Sequence, residues 1–132
     1  MVLVDTNVIS EARKGRRADP GVVAFWADVA RLQTPLFLAS VSIDELRRGV
    51  ELIRHRGDHQ LDQLLDAYNE RVLALDGDGA QLWGRLCVPD PHHAIDKPIA
   101  AIARLHDLRV VTRNTAGFAG TGVRLLNPFR GS

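Results

Sequence analysis

The sequence predicts a single α/β domain, residues 1–132, whose parallel sheet is covered by helices on both faces. A chain of 132 residues has the size of one ordinary domain. Its first strand, Val2–Val4, is apolar at every position, which is typical of a central parallel strand that is buried on both faces. Short apolar strands then alternate with amphipathic helices, and this alternation favours a parallel sheet.

The expected elements follow one another in a regular order. From the first half of the chain we expect the strand Val2–Val4, a helix from Pro20 to about Leu32, the strand Leu36–Ala39 and a helix from Ser42 to about Arg56. From the second half we expect helices near 61–68, over 77–88 and from Asp96 to about Leu105, and strands over 72–75, 109–112 and 123–126.

Composition places the chain among ordinary globular proteins. Hydrophobic residues make up 45% and charged residues 25% of the sequence, which excludes disordered and collagen-like chains. The net charge is +1, so no global excess of basic residues indicates a nucleic-acid partner. The single Cys87 excludes an internal disulfide, and no apolar run reaches the length of a membrane helix. We therefore expect a soluble, cytoplasmic protein without a membrane partner.

Three carboxylates are candidates for a common site at one edge of the sheet. Open α/β sheets bind ligands beyond the carboxyl ends of their strands, where the following helices begin. Asp5 ends the first strand, Glu45 lies in the first turn of the helix after the second strand, and Asp96 begins the helix before the fourth strand. We expect the three side chains to meet at this edge, provided that the helix of Asp96 starts there.

Each of these acids also has an ordinary structural explanation. Ser42 and Glu45 form the pattern S-x-x-E, a capping box in which Glu45 would accept a hydrogen bond from a backbone amide. Asp96, two residues before Pro98, has the position of a helix N-terminal cap. Asp5, followed by two polar residues, can begin a turn. At this point both readings of each acid stay open.

Four stretches of the sequence resemble a known family. In chain order they are DTNVIS after the first strand, SIDELRRGV, IDKPIAAIARLH headed by Asp96, and VVTRNTAGFAGTGVRLLNPF. Together they resemble the PIN-domain ribonucleases, and more closely the VapC and FitB group of bacterial toxins, from about Met1 to Phe129. The resemblance implies a three-layer α/β/α PIN-like fold with a five-stranded parallel sheet, and acids that hold Mg²⁺ or Mn²⁺ for hydrolysis of RNA phosphodiester bonds.

The resemblance also assigns roles to individual residues. It implies that Asp5, Glu45 and Asp96 are the catalytic, metal-binding acids. The polar residues that would support them are Thr6, Asn7 and Thr112. The assignment is chemically coherent, because Mg²⁺ prefers hard oxygen ligands and keeps several waters. A bound ion polarises the phosphate and lowers the pKa of an attacking water.

One departure from the family pattern concerns a fourth acid. The family has it either where this chain has Asn114 or three residues later, where it has Gly117, and no Asp or Glu follows Asp107. Asn114 can offer a carbonyl oxygen or orient a water, which would give it an auxiliary catalytic role; a plain turn residue is the alternative. With one negative charge fewer, we expect weaker metal binding, with a single ion rather than two.

Two arginines are candidates for RNA binding, Arg13 in the basic cluster after the first strand and Arg113 beside the expected site. The alternative for both is an ordinary surface charge. The resemblance further implies a cognate antitoxin that blocks the acidic site, a homodimer, and a toxin–antitoxin hetero-oligomer.

Three functions are compatible with these residues. The expected one is a metal-dependent endoribonuclease, the toxin of a toxin–antitoxin pair. The second is a PIN module with weakened catalysis that binds RNA or protein. The third is an Asp-nucleophile phosphatase of the haloacid dehalogenase type, which normally has an acid two residues after the nucleophile, where Asn7 stands.

Overall fold

The structure, a computed structural model, describes residues 1–53, 63, 66, 71–88 and 96–131, and the side chains of these residues outside 49–53. The strands are β1 (Val2–Val4), β2 (Leu36–Ala39), β3 (Val72–Leu73), β4 (Arg109–Val111) and β5 (Leu125–Leu126). The helices are α1 (Thr6–Ala12), α2 (Pro20–Leu32), α3 (Ser40–Ile53), α4 (Gly77–Cys87) and α5 (Asp96–Leu105). Within the described residues, no helix combines the length and the apolar character that crossing a bilayer requires.

The five strands form one parallel sheet in the order β3-β2-β1-β4-β5. Strands β2 and β3 are added in sequence on one side of β1. The chain then crosses over the sheet, and β4 and β5 are added on the other side of β1. This reversal lies between β1 and β4, which is where open α/β sheets bind their ligands. We call the side of the sheet at the carboxyl ends of the strands the carboxyl edge.

The sheet is buried on both faces, as the apolar first strand predicts. Val2, Leu3 and Val4 are 8%, 0% and 0% exposed, and alternate side chains point to opposite faces. The core on one face contains Val2, Val4, Val8, Ile9, Val22, Leu36, Leu38, Leu46 and Val111. The core on the other contains Leu3, Ala39, Ile99, Ala100, Ile102, Ala103, Leu108, Val110 and Phe118. The predicted α/β class is confirmed.

Two helices differ from the prediction. Helix α1 was not expected, because Asp5 and the residues after it also suit a turn. In the structure Asp5 is the N-terminal cap, and its Oδ1 accepts the backbone N–H of Thr6 at 2.8 Å. Helix α3 begins at Ser40, two residues before the predicted start. Glu45 therefore lies in the second turn of this helix, not in the first.

The edge strand β3 is shorter than predicted for a topological reason. Leu73 pairs with Ala39, and the partner strand β2 ends there because α3 begins at the next residue. Without a neighbour to pair with, residues 74 and 75 leave the sheet. Strand β5 is likewise confined to Leu125–Leu126. The helix predicted near 61–68 and the end of the helix predicted to reach Arg56 lie almost wholly outside the described residues.

A polar clamp holds the segment after β5 against the start of α2. The Asp19 carboxylate accepts the backbone N–H groups of Gly21, Arg130 and Gly131 at 2.8 to 2.9 Å. Gly21 permits this close approach, because a Cβ atom there would collide with the carbonyl oxygen of Pro128. The last part of the described chain is thus fixed beside α2.

We therefore expect Gly21→Ala to lower the free energy of unfolding by about 1–3 kcal/mol, the usual cost of overpacking. The matched control is Gly84→Ala in α4, where an added Cβ meets nothing within 4 Å. That change should stabilise the protein by up to about 1 kcal/mol through helix propensity. Urea denaturation measures both. Equal unfolding midpoints for the two variants would contradict the packing assigned to Gly21.

Candidate metal centre

Asp5 lies at the carboxyl edge, at the point where the chain leaves β1. Its side chain is 5% exposed, and its backbone N–H donates to the Val111 carbonyl in β4 at 2.9 Å. Asp5 Oδ2 accepts the hydroxyl of Thr112 at 2.8 Å. Burial raises the pKa of the Asp5 carboxyl, and the hydrogen bonds from Thr112 and Thr6 partly oppose that rise.

Asn7 and Thr112 join the end of β1 to the loop after β4. The Asn7 amide donates to Asp5 Oδ2 at 3.3 Å and to Thr112 Oγ1 at 3.2 Å. Its own Oδ1 accepts the backbone N–H of Arg113 at 3.0 Å, and Thr112 Oγ1 also accepts the backbone N–H of Asn114 at 3.0 Å. These two predicted supporting residues thus contact Asp5 directly.

The third predicted supporting residue, Thr6, contacts Asp5 in a different way. Its backbone N–H donates to Asp5 Oδ1. Its hydroxyl is buried and has no hydrogen-bond partner among the described residues. The side chain of Thr6 therefore contributes no hydrogen bond to the acid in this arrangement.

Glu45 approaches the same edge from α3. Its Oε1 is buried and, in the part of the chain that the structure describes, has no hydrogen-bond partner. Burial raises the pKa of the Glu45 carboxyl, and the negative charges of Asp5, Asp96 and Asp44 raise it further. Asp5 and Asp96, the other two predicted metal ligands, are thus among the charges that act on Glu45.

The capping-box alternative for Glu45 is wrong. It requires Ser42 at the N-terminal cap, but Ser42 lies inside α3. The Ser42 hydroxyl is also buried without a partner among the described residues. Because α3 begins earlier than the pattern suggests, the Glu45 carboxylate is not committed to a backbone amide.

Asp96 begins α5 at the carboxyl edge, as its predicted role requires. Its Oδ2 accepts the side-chain amide of Asn114 at 2.7 Å. Gly117 lies directly beside this carboxylate, and a Cβ atom at Gly117 would collide with Asp96 Oδ2. The space that a fourth acid at position 117 would use is therefore filled by Asp96 itself.

The three acids share one edge but do not form a closed coordination shell. Among the described residues, no group of three Asp, Glu, His or Cys side chains stands close enough together to hold a metal ion. The chemistry of the donors nevertheless fits Mg²⁺ or Mn²⁺, because all are hard oxygens and Glu45 presents a buried oxygen without a partner. Mg²⁺ commonly binds through one or two carboxylates and several waters, which suits this arrangement.

The two arginines predicted to bind RNA occupy different positions. Arg13 is the C-terminal cap of α1. Arg113 directly follows Thr112, is exposed, and its guanidinium lies 4.8 Å from the centre of the Phe129 ring. Phe129 ends the NPF sequence near the C-terminus, and nothing in the sequence indicates its contact with Arg113.

Lys97 was also missed from the sequence. It is 4% exposed, and its Nζ has no hydrogen-bond partner in the described residues. Its position directly after Asp96 was the only signal, and a lysine in the first turn of a helix ordinarily extends into solvent.

The fold and the site define a class: an α/β protein with acids at the carboxyl edge of a parallel sheet whose strand order reverses between β1 and β4. The PIN domain family matches residues 2–122 of this sequence, and the chain belongs to that family. The family resemblance and the predicted PIN-like fold with a five-stranded parallel sheet are therefore confirmed.

Two relatives and one solved structure show how far the similarity extends. Toxin FitB of Neisseria gonorrhoeae is 33% identical over 140 residues, covering 98% of this chain and 99% of its own. The VapC ribonuclease Y4jK of Sinorhizobium fredii is 32% identical over 140 residues, covering 98% of both. A structure of FitAB bound to an IR36 DNA fragment superposes with a TM-score of 0.82 at 30% identity, covering 97% of this chain and 95% of that one.

The raised pKa of Glu45 predicts a pH-dependent stability. The folded protein binds this proton more tightly than the unfolded chain, so Glu45 lowers the relative stability of the folded state as the pH rises above its ordinary pKa of 4.5. We expect Glu45→Gln to be more stable than the wild type at about pH 7 in EDTA, and this difference to disappear below about pH 4.

Urea denaturation at both pH values measures this effect. The control is Asp28→Asn, which removes an acid of α2 whose side chain is 60% exposed. This variant changes the net charge by the same amount. A Glu45→Gln variant that is less stable than the wild type at about pH 7 would show that the carboxylate has a stabilising partner.

Proposed function

We propose that this chain is a metal-dependent endoribonuclease and the toxin of a toxin–antitoxin pair, acting in the cytoplasm. It hydrolyses RNA phosphodiester bonds with a water activated by a divalent ion. The observation that carries this proposal is the Glu45 carboxylate, which has a buried oxygen without a partner and is destabilised by the charges of Asp5 and Asp96. A cation removes that repulsion and takes up the unused oxygen.

Asp5, Glu45 and Asp96 would hold Mg²⁺ or Mn²⁺. When bound, such an ion polarises the phosphate and makes an attacking water more acidic. Thr112 and Asn7 fix the orientation of Asp5 through hydrogen bonds to Oδ2. Oδ2 accepts both of these bonds and Oδ1 accepts the Thr6 N–H, which leaves one lone pair of Oδ1 available to the ion.

Asn114 has the auxiliary role in this mechanism. Its side-chain amide holds Asp96 Oδ2 at 2.7 Å, which leaves the Asn114 carbonyl oxygen to orient a water. Glu45 Oε1 is taken up by the ion in this arrangement, so the attacking water would release its proton to the solvent.

The relatives support the partners in this proposal. One is named a toxin and another a VapC ribonuclease, and each aligns with this chain over 98% of its length. The related FitAB structure contains a complex bound to DNA. We accordingly propose RNA as the substrate, a cognate antitoxin as the protein partner, and a homodimer that enters a toxin–antitoxin hetero-oligomer.

A catalytically weakened PIN module that binds RNA or protein is the second candidate. It is favoured by the absence of a fourth acid at Asn114 and Gly117, and by the lack of a preformed three-ligand cluster among the described residues. The phosphatase alternative has lost its support, because the chain belongs to the PIN family. Asn7, which stands where such a phosphatase has its second acid, donates a side-chain N–H to Asp5.

Incubation of the purified protein with total RNA tests the enzyme directly. We expect cleavage with Mg²⁺ or Mn²⁺ that stops in EDTA, because the acids alone provide no Lewis acid. Asp5→Asn should reduce cleavage to the level seen in EDTA, while the exposed Asp28→Asn should retain wild-type activity. Cleavage that survives both EDTA and Asp5→Asn would exclude the proposed mechanism. Metal-dependent RNA binding without cleavage would favour the weakened module.

The position of Asp96 gives a second test. Gly117→Ala should displace the Asp96 carboxylate, because the added Cβ would occupy the place of Oδ2. We expect this variant to bind Mn²⁺ about tenfold more weakly, a loss typical of changes next to metal ligands. The shift in melting temperature with Mn²⁺ concentration measures the affinity. Gly84→Ala is the control; an unchanged affinity in Gly117→Ala would argue against Asp96 as a ligand.

A further inference from the structure

Arg113 and Phe129 form a stacked pair at the carboxyl edge. The Arg113 guanidinium lies 4.8 Å from the centre of the Phe129 ring, within the range of a cation–π interaction. The ring is itself held in place, because Phe129 packs against the core that contains Val111. Its backbone N–H also donates to Asn127 Oδ1 at 3.0 Å. The arginine therefore rests on a rigid support.

The pair is connected to Asp5 by two hydrogen bonds through Asn7. The backbone N–H of Arg113 donates to Asn7 Oδ1 at 3.0 Å, and the Asn7 amide donates to Asp5 Oδ2 at 3.3 Å. The backbone of Arg113 is thus held next to Asn7, which itself contacts Asp5. Phe129 holds the guanidinium end of the side chain.

The guanidinium also has unused hydrogen-bonding capacity. The contact with the ring is made by the guanidinium carbon, and a guanidinium carries five N–H donors. Across residues 1–48, 63, 66, 71–88 and 96–131, whose side chains the structure describes, no carboxylate forms an ion pair with it. An exposed arginine held in one orientation without an acidic partner is suited to bind an anion with several oxygens.

We propose that the Arg113–Phe129 pair is a subsite for a phosphate of the RNA strand next to the cleaved bond. This inference rests on the proposed function, because it needs RNA at the acidic site. The planar fork of arginine matches two oxygens of a phosphate. Asp5, Glu45 and Asp96 repel a polyanion, and a fixed cation beside them offsets that repulsion for the part of the strand that flanks the site.

Three variants separate the contributions of charge and ring. Arg113→Gln removes the charge, and Phe129→Leu removes the ring but keeps the arginine. Arg109→Gln is the matched control: Arg109 is exposed at the opposite end of the same strand, β4, so its loss changes the net charge equally. Circular dichroism melting first establishes that each variant folds like the wild type.

The binding measurement is fluorescence anisotropy with a labelled oligouridylate in EDTA, where cleavage does not interfere, over a series of salt concentrations. We expect Arg113→Gln to raise Kd about tenfold, as for the loss of a charged hydrogen-bonded contact. The slope of log K against log salt should fall in magnitude by about 0.7, the value for one phosphate contact to a single strand.

Phe129→Leu should raise Kd about threefold and leave the slope unchanged. Arg109→Gln should resemble the wild type.

Steady-state cleavage with Mg²⁺ or Mn²⁺ provides the second readout. The subsite predicts a higher KM for Arg113→Gln with little change in kcat, because the contact lies outside the reacting atoms. A wild-type salt slope in Arg113→Gln, or an equal loss in Arg109→Gln, would overturn the subsite. The subsite would also be overturned if Arg113→Gln bound RNA normally but no longer bound a cognate antitoxin. That result would show that the pair binds a carboxylate of the partner protein. A wild-type protein that neither binds nor cleaves RNA would instead refute the proposed function.

Discussion

The hydrogen bond from the Thr112 hydroxyl to Asp5 Oδ2 is the interaction on which the rest of the site depends. It is buried, 2.8 Å long, and joins residues 107 positions apart in the sequence. It connects the ends of β1 and β4, the two neighbouring strands between which the strand order of the sheet reverses. Because Thr112 Oγ1 also accepts from Asn7 and from the backbone of Asn114, one hydroxyl positions both the start of α1 and the loop after β4.

The acids at this edge differ in whether their carboxylates have hydrogen-bond donors. Neutral donors stabilise Asp5 and Asp96, namely the hydroxyl of Thr112 and the amides of Asn7 and Asn114. Glu45 has a buried oxygen without such a donor in the described residues, and its neighbours are negative. A fold that keeps an acid in this environment gives up stability, which is common where function constrains a site. Under our proposal, the divalent ion is the missing partner of Glu45.

At the two positions of the missing fourth acid, neutral residues lie against Asp96. Glycine at position 117 leaves the space that the Asp96 carboxylate occupies, and the Asn114 amide binds that carboxylate. The site therefore has a hydrogen bond and a close backbone contact at the positions where the family has a fourth charge. Its three carboxylates hold less negative charge than four would, so a cation is attracted less strongly and the acids repel one another less.

Much of the fold and part of the site could be predicted from the sequence, because they depend on neighbouring residues. The apolar run Val2–Val4 indicates a central strand, and the acids that follow strands or begin helices indicate the carboxyl edge. Capping patterns were less decisive: the same residue types suit a turn and the start of α1, so that helix was not predicted, and Glu45 was assigned to the first turn of α3 instead of the second. Tertiary structure alone decided the early end of β3, the contact of Asp96 with Asn114, and the pairing of Arg113 with Phe129. Each depends on strand order and register, which bring together residues that are distant in the chain and carry no mutual signal in the sequence.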